Sequence, residues 1–345
     1  MKKNLRNYML TEFFVATLVA SIFILVAGSV KSYSQDSEKY SFAFKWGSKG
    51  YNDSQFQRPH DVEFDSAGNV YISDRDLNNI QKFDPHGKFI KKWGSGGTEI
   101  GEFTQPYSIS IDPSDNIYVV DKDNNRIQKF DTEGNFVSII DSAKGSNVNE
   151  SLYYPEDMDR DPNTGDIYIA DTGNNRIVKF DSDANFILEW GSNGTKPGQF
   201  DHPHGIGVDS SGDVYVNDLK SPRIQKFNHE GKFIKEWGTE GTGPGQFTPP
   251  LEHLFVDPLD NVWLVDGQNN PRIQKFDTEG SFITSVGSGP CIIEDKVKVD
   301  PEQMARPLPC DGKLHLPEHA FIDSKGNLFV VDRGNQRIVV YSPHK

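Results

Sequence analysis

An apolar-x-Asp triplet recurs six times along the chain, ending at Asp74, Asp121, Asp171, Asp218, Asp266 and Asp332, with spacings of 47, 50, 47, 48 and 66 residues. A chain that repeats at such an interval builds one supersecondary unit over and over, and the choice lies between propeller blades and a solenoid. The content of the repeat decides. Each copy opens with an aromatic or Leu three residues before a Pro (Phe56/Pro59, Phe103/Pro106, Leu152/Pro155, Phe200/Pro203, Phe247/Pro250, Leu314/Pro317). A short strand then ends in a Gly/Asn/Asp turn, an apolar strand such as VYISD follows, then a loop such as TGNN, a strand such as RIQKFD, another Gly turn and a last strand such as GKFIKKWG. Four short strands joined by hairpin signals make a four-stranded antiparallel blade. No segment after residue 40 sustains a 3.6-residue apolar period, so the chain is expected to be all-β with almost no helix.

The ends of the chain bear on closure. The sixth repeat stops at VVYSPHK and lacks a fourth strand, whereas residues 41–47, SFAFKWG, align with KFIKKWG of the first repeat and set Phe42 against Phe89 and Trp46 against Trp93. The N-terminal strand is therefore expected to complete the last blade, closing a six-bladed β-propeller and removing the free sheet edges of a linear array. Ahead of it, residues 1–6 are basic and residues 13–30 are uncharged, which reads as an export signal over residues 1–34. Its length lies between a cleaved signal peptide and a signal anchor, and both remain open. Either way residues 35–345 are expected outside the cell or at its surface, touching membrane only through the N-terminal segment. Without residues 1–34 the chain holds 32 bases against 49 acids, a balance of -17, which argues against a nucleic-acid partner.

The string F-x-x-P, then G-N-apolar-Tyr-apolar-apolar-Asp, then N-N-R-Ile-Q-K-Phe resembles the NHL repeat and covers residues 40–345 in six copies. That resemblance implies a propeller and leaves function open, since one fold hosts many activities. Most recurring polar residues are read as structural. Asp121, Asp171, Asp218, Asp266 and Asp332 are each followed by Arg126, Arg176, Arg223, Arg272 and Arg337, a pairing that would neutralise a buried carboxylate. The first repeat has Asn79 instead, and Lys82, Lys129, Lys226 and Lys275 read as the solvated side of a strand.

Function is expected where the repeats disagree. The residues just after the Pro gather at one mouth of the channel: His60-Asp61, Tyr107-Ser108, Glu156-Asp157, His204-Gly205, Glu252-His253 and Glu318-His319. Imidazoles among carboxylates suit one divalent metal, Zn²⁺ or Ca²⁺, with His60 and His204 as leading ligands and Glu156, Asp61 or Glu318 as the third; His253 and His319 complete the candidate set. A hydrated channel mouth that tolerates any polar residue is an equal alternative. Strict alternation would send first- and second-position histidines to opposite sides, although an extra residue between Pro250 and Asp257 suggests a bulge that re-aims His253. The P-H pairs at Pro59 and Pro203 are similar to motifs that hold zinc in the peptidyl-α-hydroxyglycine α-amidating lyase family, and its loop motif is matched at Asp332 to Ile338 and partly at Asp74 to Ile80. The resemblance makes Arg75 and Arg333 candidate substrate clamps, with Tyr107 a mouth tyrosine at a different position. Only two P-H pairs are present where that lyase has three.

The connection from Val286 to Pro317 spans 31 residues against 13 from Trp46, Trp93, Trp190 and Trp237, and it carries Cys291 and Cys310. Outside the cell the two are expected to form a disulfide, closing an insertion at about residues 288–313 into a stapled lid or a stabilised surface loop. Two functions follow as expectations: a module binding a protein, peptide or small ligand at the cell surface, or a metal-dependent lyase or hydrolase.

Overall fold

A computed structural model describes residues 39–142, 151–266, 270–287 and 312–344. Six four-stranded antiparallel sheets follow one another around a ring. Blade 1 runs outward through Pro59–Phe64, Val70–Asp74, Asn79–Phe83 and Phe89–Trp93. Blades 2 to 5 repeat the order, and blade 6 takes Pro317–Ile322, Leu328–Asp332 and Arg337–Pro343 from the C-terminal end and Tyr40–Trp46 from the N-terminal end. The closing strand pairs antiparallel from Tyr40 opposite Pro343 to Trp46 opposite Ile338, as the alignment of residues 41–47 predicts. Among the described residues the only helices are single 3-10 turns, and none is long and apolar enough to cross a membrane.

The core lies between blades. Each second strand is buried on both faces, and aromatic rings seal one blade to the next. Trp93 meets Phe130 of blade 2 at 6.1 Å, Trp190 meets Phe227 at 5.7 Å and Trp237 meets Phe276 at 6.3 Å. Trp46 repeats the contact across the closure, 5.9 Å from Phe83 of blade 1. The Phe or Leu that opens each repeat is buried beneath these rings, which gives F-x-x-P its apolar first position.

The recurring Asp and Arg meet inside each blade, with Nε donating to the carboxylate at 2.7 Å in Arg126–Asp121, Arg176–Asp171 and Arg272–Asp266. In blade 1, where Asn79 stands in place of Arg, Asp74 instead accepts the backbone N–H groups of Gln57, Arg58, Asp76 and Leu77. The lysines are a correction. Lys82, Lys226 and Lys275 are buried rather than solvated, and with Lys129 they lie over Tyr71, Tyr215, Trp263 and Tyr118 at 4.8–5.1 Å. Their ammonium groups reach the turn carboxylates Asp65, Asp112, Asp213 and Asp257, so the aliphatic stem covers the ring while the charge is paired.

Candidate functional site

The innermost strands, Pro59–Phe64, Pro106–Ile111, Asp157–Arg160, Pro203–Val208, Leu251–Val256 and Pro317–Ile322, succeed one another around the channel and close back from blade 6 to blade 1. In blades 1, 2, 4, 5 and 6 their pairing slips by one residue at the mouth: Pro59 faces Asp74 whereas Val62 faces Ile72. Such a bulge sets two residues against one and suspends alternation. Both residues after the first position therefore reach the channel, forming two stacked layers. In blade 5 Leu251 takes the pairing position that Pro59 holds in blade 1, which brings Glu252 and His253 into register with His60 and Asp61.

The outer layer holds His60, Tyr107, Glu156, His204, Glu252 and Glu318, all buried. The His60 ring lies 3.9 Å from that of Tyr107 and its Nε2 is 3.8 Å from Glu318; His204 Nε2 is 3.5 Å from Glu156 and 3.9 Å from Glu252. Three cations balance the carboxylates from the rim. Arg333 pairs with Glu318, Lys122 lies 2.5 Å from Glu156 and 4.2 Å from the Tyr107 ring, and the Arg75 guanidinium sits 4.1 Å from that ring. Burial, reinforced by Arg75, holds the His60 pKa well below the usual imidazole range. This mouth is a packed plug whose charges answer one another. It contains His60, His204, Glu156, Glu318 and all three candidate ligand-binding residues, Arg75, Tyr107 and Arg333.

The layer beneath holds Asp61, Ser108, Asp157, Gly205, His253 and His319. The His253 and His319 rings stack at 3.2 Å, His253 Nε2 lies 3.4 Å from Asp157, and His319 Nδ1 lies 2.8 Å from Asp61. Asp157, His253 and His319 each offer one ligand atom within 4.8 Å of the others. Burial pushes the His319 pKa down to about 3 and lowers His253, so both imidazoles are neutral at physiological pH. Burial opposes the Asp157 charge, yet the neighbouring His253 holds its carboxyl below the usual range. The same burial pushes Asp61 up to about 8. Asp61 and Asp157 also brace the ring, accepting the Ile109 N–H at 2.5 Å and the Ile206 N–H at 2.9 Å from neighbouring blades.

Below this layer a cavity of about 410 Å³ runs to the face opposite the plug, emerging between the turns at residues 112–116 and 161–165. Glu63, Ser110, Asp159, Phe255 and Phe321 line it, and Asp157, His253 and His319 stand at its inner end. Gly205 and Gly207 lie on the inner strand of blade 4. A Cβ at Gly205 would lie 2.4 Å from the Leu254 nitrogen, so only glycine lets the inner strand of blade 5 come so close.

The structure thus sorts the predicted residues by depth. His60 and His204 fall in the plug in separate carboxylate pairs, whereas His253 and His319 join Asp157 one layer deeper. Asp157 was visible in the sequence as half of a mouth pair but was not singled out as a ligand. Glu63 and Asp159 were missed because they lie two residues further along each strand, beyond the position where repeats were compared. Cys291 and Cys310 and the N-terminal segment lie outside the described residues.

The profile of a family described as 6-bladed beta-propeller matches residues 51–160, and the NHL repeat profile matches residues 152–180 and 200–227. No curated protein matches the chain. Among solved structures, a structural genomics protein of unknown function from Bacteroides thetaiotaomicron is similar at 13% identity and TM-score 0.66, over 89% of this chain and 76% of that one. A gluconolactonase from Xanthomonas campestris is similar at 12% identity and TM-score 0.58, over 85% and 88%. A catalytically inactive His-to-Ala variant of virginiamycin B lyase from Staphylococcus aureus, with quinupristin, is similar at 16% identity and TM-score 0.56, over 89% and 88%. These likenesses concern the fold.

Proposed function

We propose that this six-bladed propeller with NHL repeats is an exported binding protein that takes a small ligand into its channel from the face opposite the plug, with a divalent ion held by Asp157, His253 and His319. One observation carries the reading: three ligand atoms within 4.8 Å of one another stand at the inner end of a cavity of about 410 Å³. Two neutral imidazoles and a carboxylate are a donor set found in open zinc sites, and they favour Zn²⁺ over the all-oxygen preference of Ca²⁺. The plug, with its charges internally paired, offers a weaker site for ligand entry than the opposite opening. Export rests on the N-terminal segment.

Metal-dependent lyase or hydrolase activity is the second reading. It is favoured by the position of the trio at the inner end of the cavity, where a ligand entering from the opposite face would meet it. A bound ion would supply Lewis-acid polarisation there. This chain's contribution would be to hold two imidazoles neutral and to keep bulk water out through the plug.

Elemental analysis after exposure to micromolar Zn²⁺ and Ca²⁺, with no chelator or nickel column in purification, tests the ion. Wild type should retain about one Zn²⁺ per chain, His253→Ala/His319→Ala should retain none, and His60→Ala/His204→Ala should still retain it. Much less than one ion in wild type overturns the metal reading, and loss in the His60/His204 variant alone moves the ligands to the plug.

A further inference from the structure

We infer that the cavity is built for the protonated amine of a small molecule, gripped by Glu63 and Asp159 against the aromatic surface of Phe255 and Phe321. The inference rests on the channel being a ligand site and names the chemistry of what enters it.

The wall is divided by chemical type. Glu63 of blade 1 and Asp157 and Asp159 of blade 3 supply carboxylates, Ser108 and Ser110 of blade 2 supply hydroxyls, and Phe255 and Phe321 of blades 5 and 6 supply aromatic rings 5.2 Å apart. The cations that answer acids elsewhere are engaged elsewhere. Lys82, Lys226 and Lys275 pair with turn carboxylates, and Lys122 and Arg333 pair within the plug. Arg160, the one Lys or Arg on the cavity wall, lies 4.0 Å from the Tyr118 ring and donates through Nη1 to the Gly165 carbonyl, while its Nε and Nη2 have no hydrogen-bond partner among the described residues. Glu63 has no ion-pair partner among the described residues, and Asp159 accepts only the backbone N–H groups of Arg160 and Val208.

A second, separate feature points to an occupant. His253 is 6% exposed, lines the cavity and leaves Nδ1 without a partner. Carboxylates held in a low-dielectric pocket want either a proton or a cation. An anion would meet this acidic wall unfavourably, and a second bare metal would make no use of the rings. An ammonium group uses both, donating hydrogen bonds to the carboxylates while its charge rests against aromatic faces. The volume is within the range of about 300–1,000 Å³ seen for small-molecule sites.

Cyclohexylamine and cyclohexanol are matched probes, differing only in the charged group. Calorimetric titration of the zinc-loaded full chain near neutral pH should give the amine at least about tenfold tighter binding than the alcohol. Glu63→Gln/Asp159→Asn should remove that advantage while zinc content, read by elemental analysis, stays unchanged, and Phe321→Leu should weaken the amine several-fold. Circular dichroism reports whether the variants fold, and the wild-type comparison stands without them. Equal affinity for the two probes, or no saturable amine binding, overturns the inference. If zinc is retained in that case, the metal-site reading survives it; if the amine binds a chain that holds no zinc, the amine site stands and the metal reading falls.

Discussion

At the scale of single residues, burial dominates the channel electrostatics, and its sign sets how stability should follow pH. Carboxyl groups in the unfolded chain titrate near 4. In the fold Asp159 is pushed up to about 7 and Asp61 to about 8, with Glu63 also raised, all first by burial. The folded state therefore binds more protons than the unfolded one between those values, and the stability these groups contribute is lost as pH rises through the folded pKa. The lowered histidines, His60, His253 and His319, act in the opposite sense only below about 6.5, where the unfolded imidazole takes up its proton. Chelator-treated protein should thus melt at progressively lower temperature from pH 6.5 to 8.5. Asp159→Asn should flatten that decline, and a wild-type melting temperature that climbs over the interval would contradict the assignment. The blade pairs give a second residue-scale expectation. Arg126 donates to Asp121 and, through Nη2, to the carbonyls of Glu99 and Glu102. Arg126→Met strands a buried carboxylate and should lower stability by about 3 kcal/mol, read from the urea midpoint at unchanged slope.

At the scale of the strand, the deciding feature is the bulge that opens the inner strands of blades 1, 2, 4, 5 and 6. The sequence makes the repeat, the Asp–Arg pairs and the closing strand legible because each appears as a pattern shared among copies. The bulge is shared too, but it alters no residue type, so strict alternation predicted that His60 and His319 would diverge when they occupy adjacent layers of one channel. The lysines were misread for a related reason: alternation places them off the core face, while the ring beside them and the turn carboxylate beyond are tertiary facts. Gly205 and Gly207 show how tightly blades 4 and 5 meet. At Gly205 a Cβ would face the Leu254 nitrogen at 2.4 Å and Asn217 Oδ1 at 2.5 Å, and Asn217 Nδ2 is already committed to the Leu251 and Glu252 carbonyls. At Gly207 the nearest atoms are methyls of Val256 and Leu254 at 3.0 and 3.1 Å and the Val256 nitrogen at 3.1 Å, a looser fit than the 2.4 Å at Gly205. Gly205→Ala should therefore destabilise by about 1–3 kcal/mol or more, and Gly207→Ala by clearly less, in parallel urea titrations. Equal effects would mean the two strands do not approach as described.

At the scale of the whole molecule, the ring is held shut by seven residues from the far end of the chain. Tyr40–Trp46 pairs along Arg337–Pro343, and its rings reach both neighbours: Trp46 lies 5.9 Å from Phe83 of blade 1 and 6.0 Å from Phe329 of blade 6, while Tyr40 lies 5.7 Å from Trp263 of blade 5. One strand therefore joins three blades, and a terminal segment with such contacts is not a frayed end. Deleting residues 40–47 would expose the outer edge of Arg337–Pro343 and uncover Phe83 and Phe329. The channel layers depend on the same closure, because His319 of blade 6 meets Asp61 of blade 1 across that seam, 2.8 Å apart. The truncated chain should unfold at a distinctly lower urea concentration than the intact propeller, associate through its free edge in light scattering, and lose the zinc retained by wild type even under conditions where it stays folded. An unchanged urea midpoint would show that the ring does not depend on its N-terminal strand. A lowered midpoint with zinc retained would show that Asp157 and His253 hold the ion without the seam, and His319 would leave the ligand set.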